Sequence, residues 1–367
     1  MKPAWIPSRS RLCLHTGLMT LRLFRKSEVE GMKKLLLKEK WPELWARLAD
    51  EGPLYLPVED GPVILYKPWE KGAKVNLEAV NSAVSPKEIF LPREETYLRY
   101  SSSGEKLELA EVESSGPVTA FALHPCDLKA IEMIDRVFLD QETPDELYKR
   151  RREKTTVVAL ACRRPDPYCF CGVFGIDPTD APNADVMAYL NEKGLLLEER
   201  TARGKALLEK AADLLEDGDA EKTGKNDVET ADFGLQVEGL AEDLKDRFDD
   251  PAWDDLFRSC LGCGICTYVC PTCYCFDVED YGHEEGGERF RCWDSCMFGQ
   301  FTVMAGGHNP RPGRRERVRQ RFMHKLCYYP EVYGEIACVG CGRCLRSCPV
   351  NLDMVQAIKA LGGEKVG

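Results

Sequence analysis

The sequence lacks any long apolar run: no stretch approaches the roughly 18 uninterrupted apolar residues of a membrane-spanning helix. It also lacks an excess of basic residues, since 50 Lys and Arg stand against 61 Asp and Glu and give a formal net charge of −11. A general nucleic-acid-binding protein would normally be basic. The sequence therefore predicts a protein that uses neither a membrane nor nucleic acid as a partner.

Motifs of the common catalytic and nucleotide-binding sites are missing as well. No G-x-G-x-x-G follows a strand, no G-x4-G-K-[ST] loop occurs, and no G-x-S-x-G sequence is present. Acidic residues are plentiful, but no pair of carboxylates stands out. The chain thus shows no substrate, flavin or nucleotide site of its own.

The basic start of the chain does not read as a secretion signal. Arg22 and Arg25 leave only a short apolar run, and no small-residue cleavage site follows. We expect a disordered arm or an overextended gene start here. A secreted, disulfide-stapled protein is therefore disfavoured. The 18 cysteines are better explained by a cytoplasmic protein whose reduced thiolates hold metal.

Two cysteine runs are the strongest signal in the sequence. CLGCGICTYVCP (260–271) and CVGCGRCLRSCP (338–349) both follow the C-x2-C-x2-C-x3-C-P spacing of bacterial two-cluster ferredoxins. Glycines within each run let the backbone approach the cluster and offer N–H groups to its sulfurs. A zinc site usually uses two separated C-x2-C pairs. The triple spacing therefore predicts two [4Fe-4S] clusters.

In this type of spacing the fourth cysteine of each run ligates the other cluster. We therefore expect one cluster to be held by Cys260, Cys263, Cys266 and Cys348. We expect the other to be held by Cys338, Cys341, Cys344 and Cys270. The long insertion between the runs leaves another possibility open, in which each run uses its own fourth cysteine or recruits Cys273 or Cys296.

A second cysteine group precedes the two runs. Its members are Cys126, Cys162, Cys169 and Cys171. They follow two predicted buried strands, PVTAFAL (117–123) and TTVVALAC (155–162), at the edge where open α/β sheets carry their sites. A third [4Fe-4S] cluster is one interpretation and buried free thiols are the other. His124 and Asp127 are alternative ligands or hydrogen-bond donors to sulfur.

The remaining cysteines carry weaker signals. Cys273, Cys275, Cys292 and Cys296 lie in the insertion, and packing against the two main clusters explains them better than a further cluster. Cys13 and Cys327 look isolated and structural. A basic stretch contains His308, Arg311, Arg314, Arg315, Arg317, Arg319 and Arg321. It is interpreted as a solvated helix face, as a docking site for an acidic partner, or as positive charge that raises cluster potentials.

The hydrophobic pattern predicts an α+β protein in two parts. We expect an α/β domain over 1–215, a polar linker over 216–234 and a mainly helical, ferredoxin-like dicluster domain over 235–367. The other predicted strands are 53–58, 61–68, 88–92, 185–190 and 194–199. The predicted helices are 29–48, 128–139, 204–216, 235–249, 293–306 and 314–326.

Four segments carry a family resemblance: CPTCYCFDVED (270–280), WDSCMFGQFTVMAGGHNPR (293–311), HKLCYYPEVYG (324–334) and CVGCGRCLRSCPVNLD (338–353). They resemble the beta subunit of soluble sulfhydrogenases, and they are also similar to the iron–sulfur subunit of anaerobic sulfite reductase. ALHPCDLKAI (122–131) extends the likeness upstream. In that family the subunit carries electrons between a flavin-containing, NAD(P)-oxidising subunit and a catalytic subunit.

The resemblance therefore implies an electron-transfer subunit of an anaerobic oxidoreductase complex. A [NiFe] hydrogenase is the first expectation and an anaerobic sulfite reductase is the alternative. Two hypotheses of other classes stay open at this point. One is an enzyme that binds its substrate at HPCD (124–127) and CFC (169–171), and the other is a cluster-binding redox sensor or scaffold.

Overall fold

The structure, a computed structural model, describes residues 33–103, 106–112, 116–218 and 228–362. The predictions for the basic start, for Cys13 and for the middle of segment 216–234 lie outside these ranges. The described strands are β1 (Lys33–Leu37), β2 (Leu54–Asp60), β3 (Val63–Pro68), β4 (Glu94–Ser103), β5 (Lys106–Glu111), β6 (Val118–Leu123), β7 (Thr155–Leu160), β8 (Val186–Leu190), β9 (Gly194–Glu199), β10 (Glu216–Asp217), β11 (Phe276–His283) and β12 (Gly286–Trp293). The described helices are α1 (Trp41–Ala49), α2 (Pro125–Leu139), α3 (Glu146–Lys154), α4 (Ala202–Glu209), α5 (Leu240–Asp243), α6 (Ala252–Arg258), α7 (Ile265–Tyr268), α8 (Arg314–Met323), α9 (Tyr329–Tyr333), α10 (Arg343–Ser347) and α11 (Met354–Ala360).

The larger sheet has the described strand order β10-β1-β9-β8-β7-β6-β2-β3. Its central strands β2, β6, β7 and β8 are parallel, and the outer pairs are antiparallel. β6 and β7 are almost wholly buried, as strands covered on both faces must be. Because parallel strands end at the same edge, the loops after β6 and β7 meet there. Those loops carry the HPCD and CFC cysteines.

The turn from β6 into α2 is shaped by a β-bulge. The pairing of β6 with β7 shifts between Phe121 and Leu123, and Ala122 between them has φ 65°. A non-glycine residue rarely adopts this left-handed conformation. The hydroxyl of Tyr66 donates to the Ala122 carbonyl at 2.5 Å, which holds the bulge in place. The bulge thus directs the HPCD segment out of the sheet.

A second, four-stranded antiparallel sheet joins segments that are distant in the chain. Its order is β11-β12-β4-β5, so the hairpin within the insertion pairs with a strand from the N-terminal half. Arg291 on β12 is 1% exposed at its side chain and donates to Glu95 on β4 and Asp145 before α3. The sheet and these buried ion pairs anchor the insertion to the N-terminal half.

Three predicted elements are wrong. Segment 33–37 is a strand and not the first part of a helix, because it pairs on both sides, with β9 and with β10. Segment 88–92 is a short 3-10 helix that ends at Ile89, followed by turns. Segment 293–306 continues from β12 into turns, and its side chains pack around the cysteine runs instead of forming a helix.

The predicted fold class is confirmed: a mixed α/β sheet region precedes a dicluster region with helices. Helix 314–326 is confirmed as α8 and the helical turn that continues it. The apolar core of the sheet region lies between the larger sheet and α1 and α4. In the part of the chain that is described, no helix has the length and apolar character needed to cross a membrane.

Candidate iron-sulfur sites

The first cysteine run and the last cysteine of the second run surround one cavity. The cysteines that line it are Cys260, Cys263, Cys266 and Cys348. Backbone N–H groups point at two of these sulfurs, at 3.3 Å from Gly262 N to Cys260 Sγ and 3.2 Å from Leu352 N to Cys348 Sγ. N–H groups directed at thiolate sulfur are a recurring feature of iron–sulfur sites. The structure therefore brings together the four cysteines that the crossed spacing predicts for one cluster.

The fourth cysteine of the first run lies beside the start of the second run. Cys270 Sγ is 3.3 Å from Thr272 Oγ1, which donates to the carbonyl of Ala337 at 2.8 Å. Ala337 immediately precedes Cys338, and α7 packs against α10. Burial raises the pKa of the Cys344 thiol to about 11, and the nearby charge of Cys270 contributes to the rise. Cys270 thus lies among the cysteines of the second run.

Glycine is required where the backbone passes close to other chain segments. Gly264 and Gly342 have φ of 76° and 74° and lie directly before α7 and α10. A Cβ on Gly342 would lie 2.4 Å from the carbonyl oxygen of Tyr168. Phe170 N donates to the carbonyl of Gly340 at 2.8 Å. The CFC loop therefore lies directly on the second cysteine run.

Two buried lysines lie beside Cys270. Lys325 is 2% exposed, and its Nζ donates to Thr272 Oγ1 at 2.6 Å and to the carbonyl of Ala337 at 3.1 Å. Lys87 is 3% exposed, and its Nζ donates to the carbonyl of Cys273 at 2.8 Å. The pKa of Lys87 is lowered by burial, although the neighbouring thiolates oppose this effect. Buried ammonium groups of this kind need negative charge nearby.

A buried arginine reaches the cavity of the first run. Arg321 is 3% exposed and lines that cavity, but its Nε and Nη2 have no hydrogen-bond partner among the described residues. Four thiolates, inward-pointing N–H groups and an unpartnered guanidinium fit an anionic cluster. Within the described residues, no three or more His, Cys, Asp or Glu side chains are arranged to hold a single metal ion. The site residues thus fit a [4Fe-4S] group better than a lone ion.

The four N-terminal cysteines lie near one another at the sheet edge. His124 Nδ1 is 3.4 Å from Cys162 Sγ, and His124 Nε2 is 3.1 Å from the carbonyl of Ala79. Burial raises the pKa of the Cys171 thiol to about 11, and the charge of Cys169 adds to it. Burial and the charges of these same cysteines also raise the pKa of Cys162. His124 therefore contacts a candidate ligand and does not take its place.

Cys126 lies between the N-terminal cysteines and the second run. It packs against the same apolar cluster as Cys341, on the first turn of α2. The pKa of its thiol is raised by burial first, and the charges of Asp127, Cys341 and Cys162 contribute. Cys126 is thus the point where the two cysteine groups approach each other.

A fully buried ion pair joins HPCD to the second cysteine run. Arg343 donates from Nη1 and Nη2 to the two oxygens of Asp127 at 2.6 and 2.9 Å, and both side chains are 1% exposed. Arg343 also donates to the carbonyl and the hydroxyl of Ser82, each at 3.0 Å. Both oxygens of Asp127 are therefore engaged by Arg343. The prediction of Asp127 as an alternative ligand does not fit this geometry.

The cysteines of the insertion are divided between two places. Cys273 and Cys296 are buried beside the first set, and Cys292 lies apart on β12. The pKa of Cys275 is lowered to about 6, chiefly because the Cys296 thiol donates to it. The isolated Cys327 is buried in the apolar core around α8. These positions agree with packing around the cysteine runs.

The basic stretch is not one solvated face. Arg315 pairs with Asp254 on the surface, whereas Arg319 and Arg321 are buried. Arg319 donates to the carbonyl of Phe248 at 3.0 Å. The solvated-face interpretation is therefore wrong for Arg319 and Arg321.

Sequence reasoning did not find the buried roles of Lys87, Lys325 and the pair of Asp127 with Arg343. A charged residue inside a cysteine motif, such as Arg343 in CGRC, was the one local signal available. The partners of these groups come from distant segments, so no local pattern reveals them.

Comparison with known proteins identifies two matches. The family of 4Fe-4S dicluster domains matches residues 259–352. The chain is 31% identical over 330 residues to sulfhydrogenase 2 subunit beta of Pyrococcus furiosus, an alignment that covers 88% of this chain and 96% of that protein. No solved structure gives a significant match. The two [4Fe-4S] clusters predicted from the cysteine spacing are confirmed by the dicluster match.

Proposed function

Because this chain belongs to the family of the sulfhydrogenase beta subunits, we propose that it is the electron-transfer subunit of a cytoplasmic [NiFe] hydrogenase complex. In this role it passes electrons between a flavin- and NAD(P)-binding subunit and the catalytic subunit. The printed name of the relative supports a hydrogenase more directly than a sulfite reductase. The observation that carries the proposal is the cavity that four cysteines of the two runs share.

The chain's own residues hold and separate the carriers. The two bound [4Fe-4S] clusters supply one-electron acceptance and release. The ligands proposed for the first are Cys260, Cys263, Cys266 and Cys348. The ligands proposed for the second are Cys338, Cys341, Cys344 and Cys270. The shared cavity supports the first set, and the link from Cys270 through Thr272 to Ala337 supports the second.

A third [4Fe-4S] cluster is proposed at Cys126, Cys162, Cys169 and Cys171. The mutual effect of these thiols on their pKa values and the direct packing of the CFC loop on Gly340 support it. Cys126 packs near Cys341, and Cys344 lies near Cys266. These contacts favour a series of three carriers that ends at the exposed Cys263. A partner subunit that docks over Cys263 can exchange electrons with the first cluster.

The electron-transfer role is tested in the complex purified anaerobically. Cys260→Ser should abolish electron transfer from NAD(P)H to the catalytic subunit. Each partner's half reaction with an artificial dye should remain, because those reactions bypass this subunit. Cys292→Ser is the matched control, since Cys292 lies apart from the proposed ligands, and it should leave coupled turnover unchanged.

Two outcomes contradict this proposal. Full coupled turnover in a Cys260→Ser complex that has lost cluster iron would show that electrons do not pass through this subunit. Co-purification of a catalytic subunit that contains siroheme and no nickel would replace the hydrogenase by the sulfite reductase alternative.

A further inference from the structure

Arg321 differs from the other buried arginines in its surroundings. Arg343 is engaged by Asp127 and Ser82, and Arg291 is engaged by Glu95 and Asp145. Arg321 is 3% exposed, and within the described part of the chain its Nε and Nη2 have no acceptor. The guanidinium cannot be neutralised by losing its proton. A buried and permanently charged group with two unused donors needs an anion that accepts hydrogen bonds.

The position of Arg321 indicates what that anion is. Its side chain lines the same cavity as the four cysteines proposed for the first cluster. Its guanidinium lies over the ring of Phe322 at 4.7 Å, which covers a face of the group but leaves its edge N–H groups unused. Burial lowers the pKa of Arg321, but the charges of Cys266 and Cys344 outweigh this effect and raise it. One of these cysteines belongs to each run, so the cation lies near both.

We propose that Arg321 is a positioning residue that directs Nε and Nη2 at the sulfurs of the first cluster and raises its reduction potential. The step it influences is the uptake of one electron from the reductant, in which no bond is made or broken and the guanidinium keeps its proton. A fixed positive charge favours the added negative charge, so the reduced state is stabilised. The second cluster is affected less, since Arg321 does not share a cavity with its other cysteines. This inference rests on the ligand set proposed above for the first cluster.

The test measures midpoint potentials by EPR-monitored titration with dithionite in the anaerobically purified chain. Arg321→Gln should disfavour reduction of the first cluster about tenfold, equal to about 59 mV for one electron, with a smaller change at the second cluster. Iron content per chain is measured on the same samples. Full iron with unchanged potentials would overturn the proposal for Arg321 and leave the electron-transfer role intact. Arg319→Gln is the matched control, because it lies on the same helix and its guanidinium is engaged by Phe248 and Asp249.

A second variant keeps the proposal testable if Arg321→Gln does not assemble. Arg321→Lys retains the charge but loses the two-pronged donor. Its first cluster should have a potential between the wild type and full loss, and it should lose an exchangeable-proton coupling that the reduced wild type shows after comparison in H2O and D2O. An identical set of couplings in wild type and Arg321→Lys would overturn the proposed N–H contacts. An equal shift in Arg319→Gln and Arg321→Gln would overturn the specific role of Arg321.

Discussion

The buried pair of Asp127 with Arg343 should be the most sensitive contact between HPCD and the second cysteine run. Both side chains are 1% exposed, and two hydrogen bonds of 2.6 and 2.9 Å join them. Asp127→Ala leaves the Arg343 charge buried with only Ser82 as a partner. Removing one member of a buried pair costs about 3–5 kcal/mol. We expect the free energy of unfolding to fall by about that amount, measured by anaerobic guanidinium denaturation.

The double variant separates the pair from its surroundings. Asp127→Ala with Arg343→Met removes both charges, so its loss of stability should be clearly smaller than the sum of the two single losses. Asp280→Ala is the matched control. Its carboxylate accepts two hydrogen bonds from Arg289, at 2.8 and 2.7 Å, but the pair lies on the surface and should contribute far less. Additive losses, or an Asp127→Ala loss no greater than that of Asp280→Ala, would refute the reasoning.

Three further predictions concern the clusters. Changing Cys169 and Cys171 together to Ser should lower iron from about twelve to about eight atoms per chain, at four per [4Fe-4S] unit. Unchanged iron would exclude the third cluster. Cys348→Ser should alter the EPR signal of the cluster held by the first run and spare the other; the reverse pattern would show that each run uses its own fourth cysteine. Gly342→Ala should weaken packing of the CFC loop, because its Cβ would meet the Tyr168 carbonyl at 2.4 Å. Faster backbone hydrogen exchange in that loop is the readout, and exchange equal to wild type would contradict the contact.

The cysteine runs illustrate what local sequence can determine. Three thiols at fixed short spacing and two glycines in each run are properties of a few consecutive residues, and Gly264 and Gly342 do adopt the left-handed conformation before a helical turn. β6, α2 and β7 were also predictable, because a buried apolar run and an amphipathic period are local signals. The order of these elements predicted a sheet edge that carries cysteines.

Segment 33–37 shows where a local pattern fails. KKLLL is compatible with a helix that has a Lys-rich face, yet the segment is a strand, because β9 and β10 supply backbone partners on both sides. Segment 293–306 fails for a related reason. Trp293 ends β12, and its indole donates to the carbonyl of Leu91 at 3.0 Å. Contacts with distant residues overrode local propensity in both places.

The sequence by itself determined the cofactor type, the fold class and which cysteines are candidate ligands, since these depend on spacing and periodicity. Only the tertiary structure decided the environment of the cysteines. It brought Cys348 to the first run, engaged Asp127 with Arg343, and buried Arg321 at the cavity. A charged side chain can be buried only where its compensating groups meet it, and here those groups come from segments far apart in the chain. That meeting is a property of the folded chain and not of any short stretch of it.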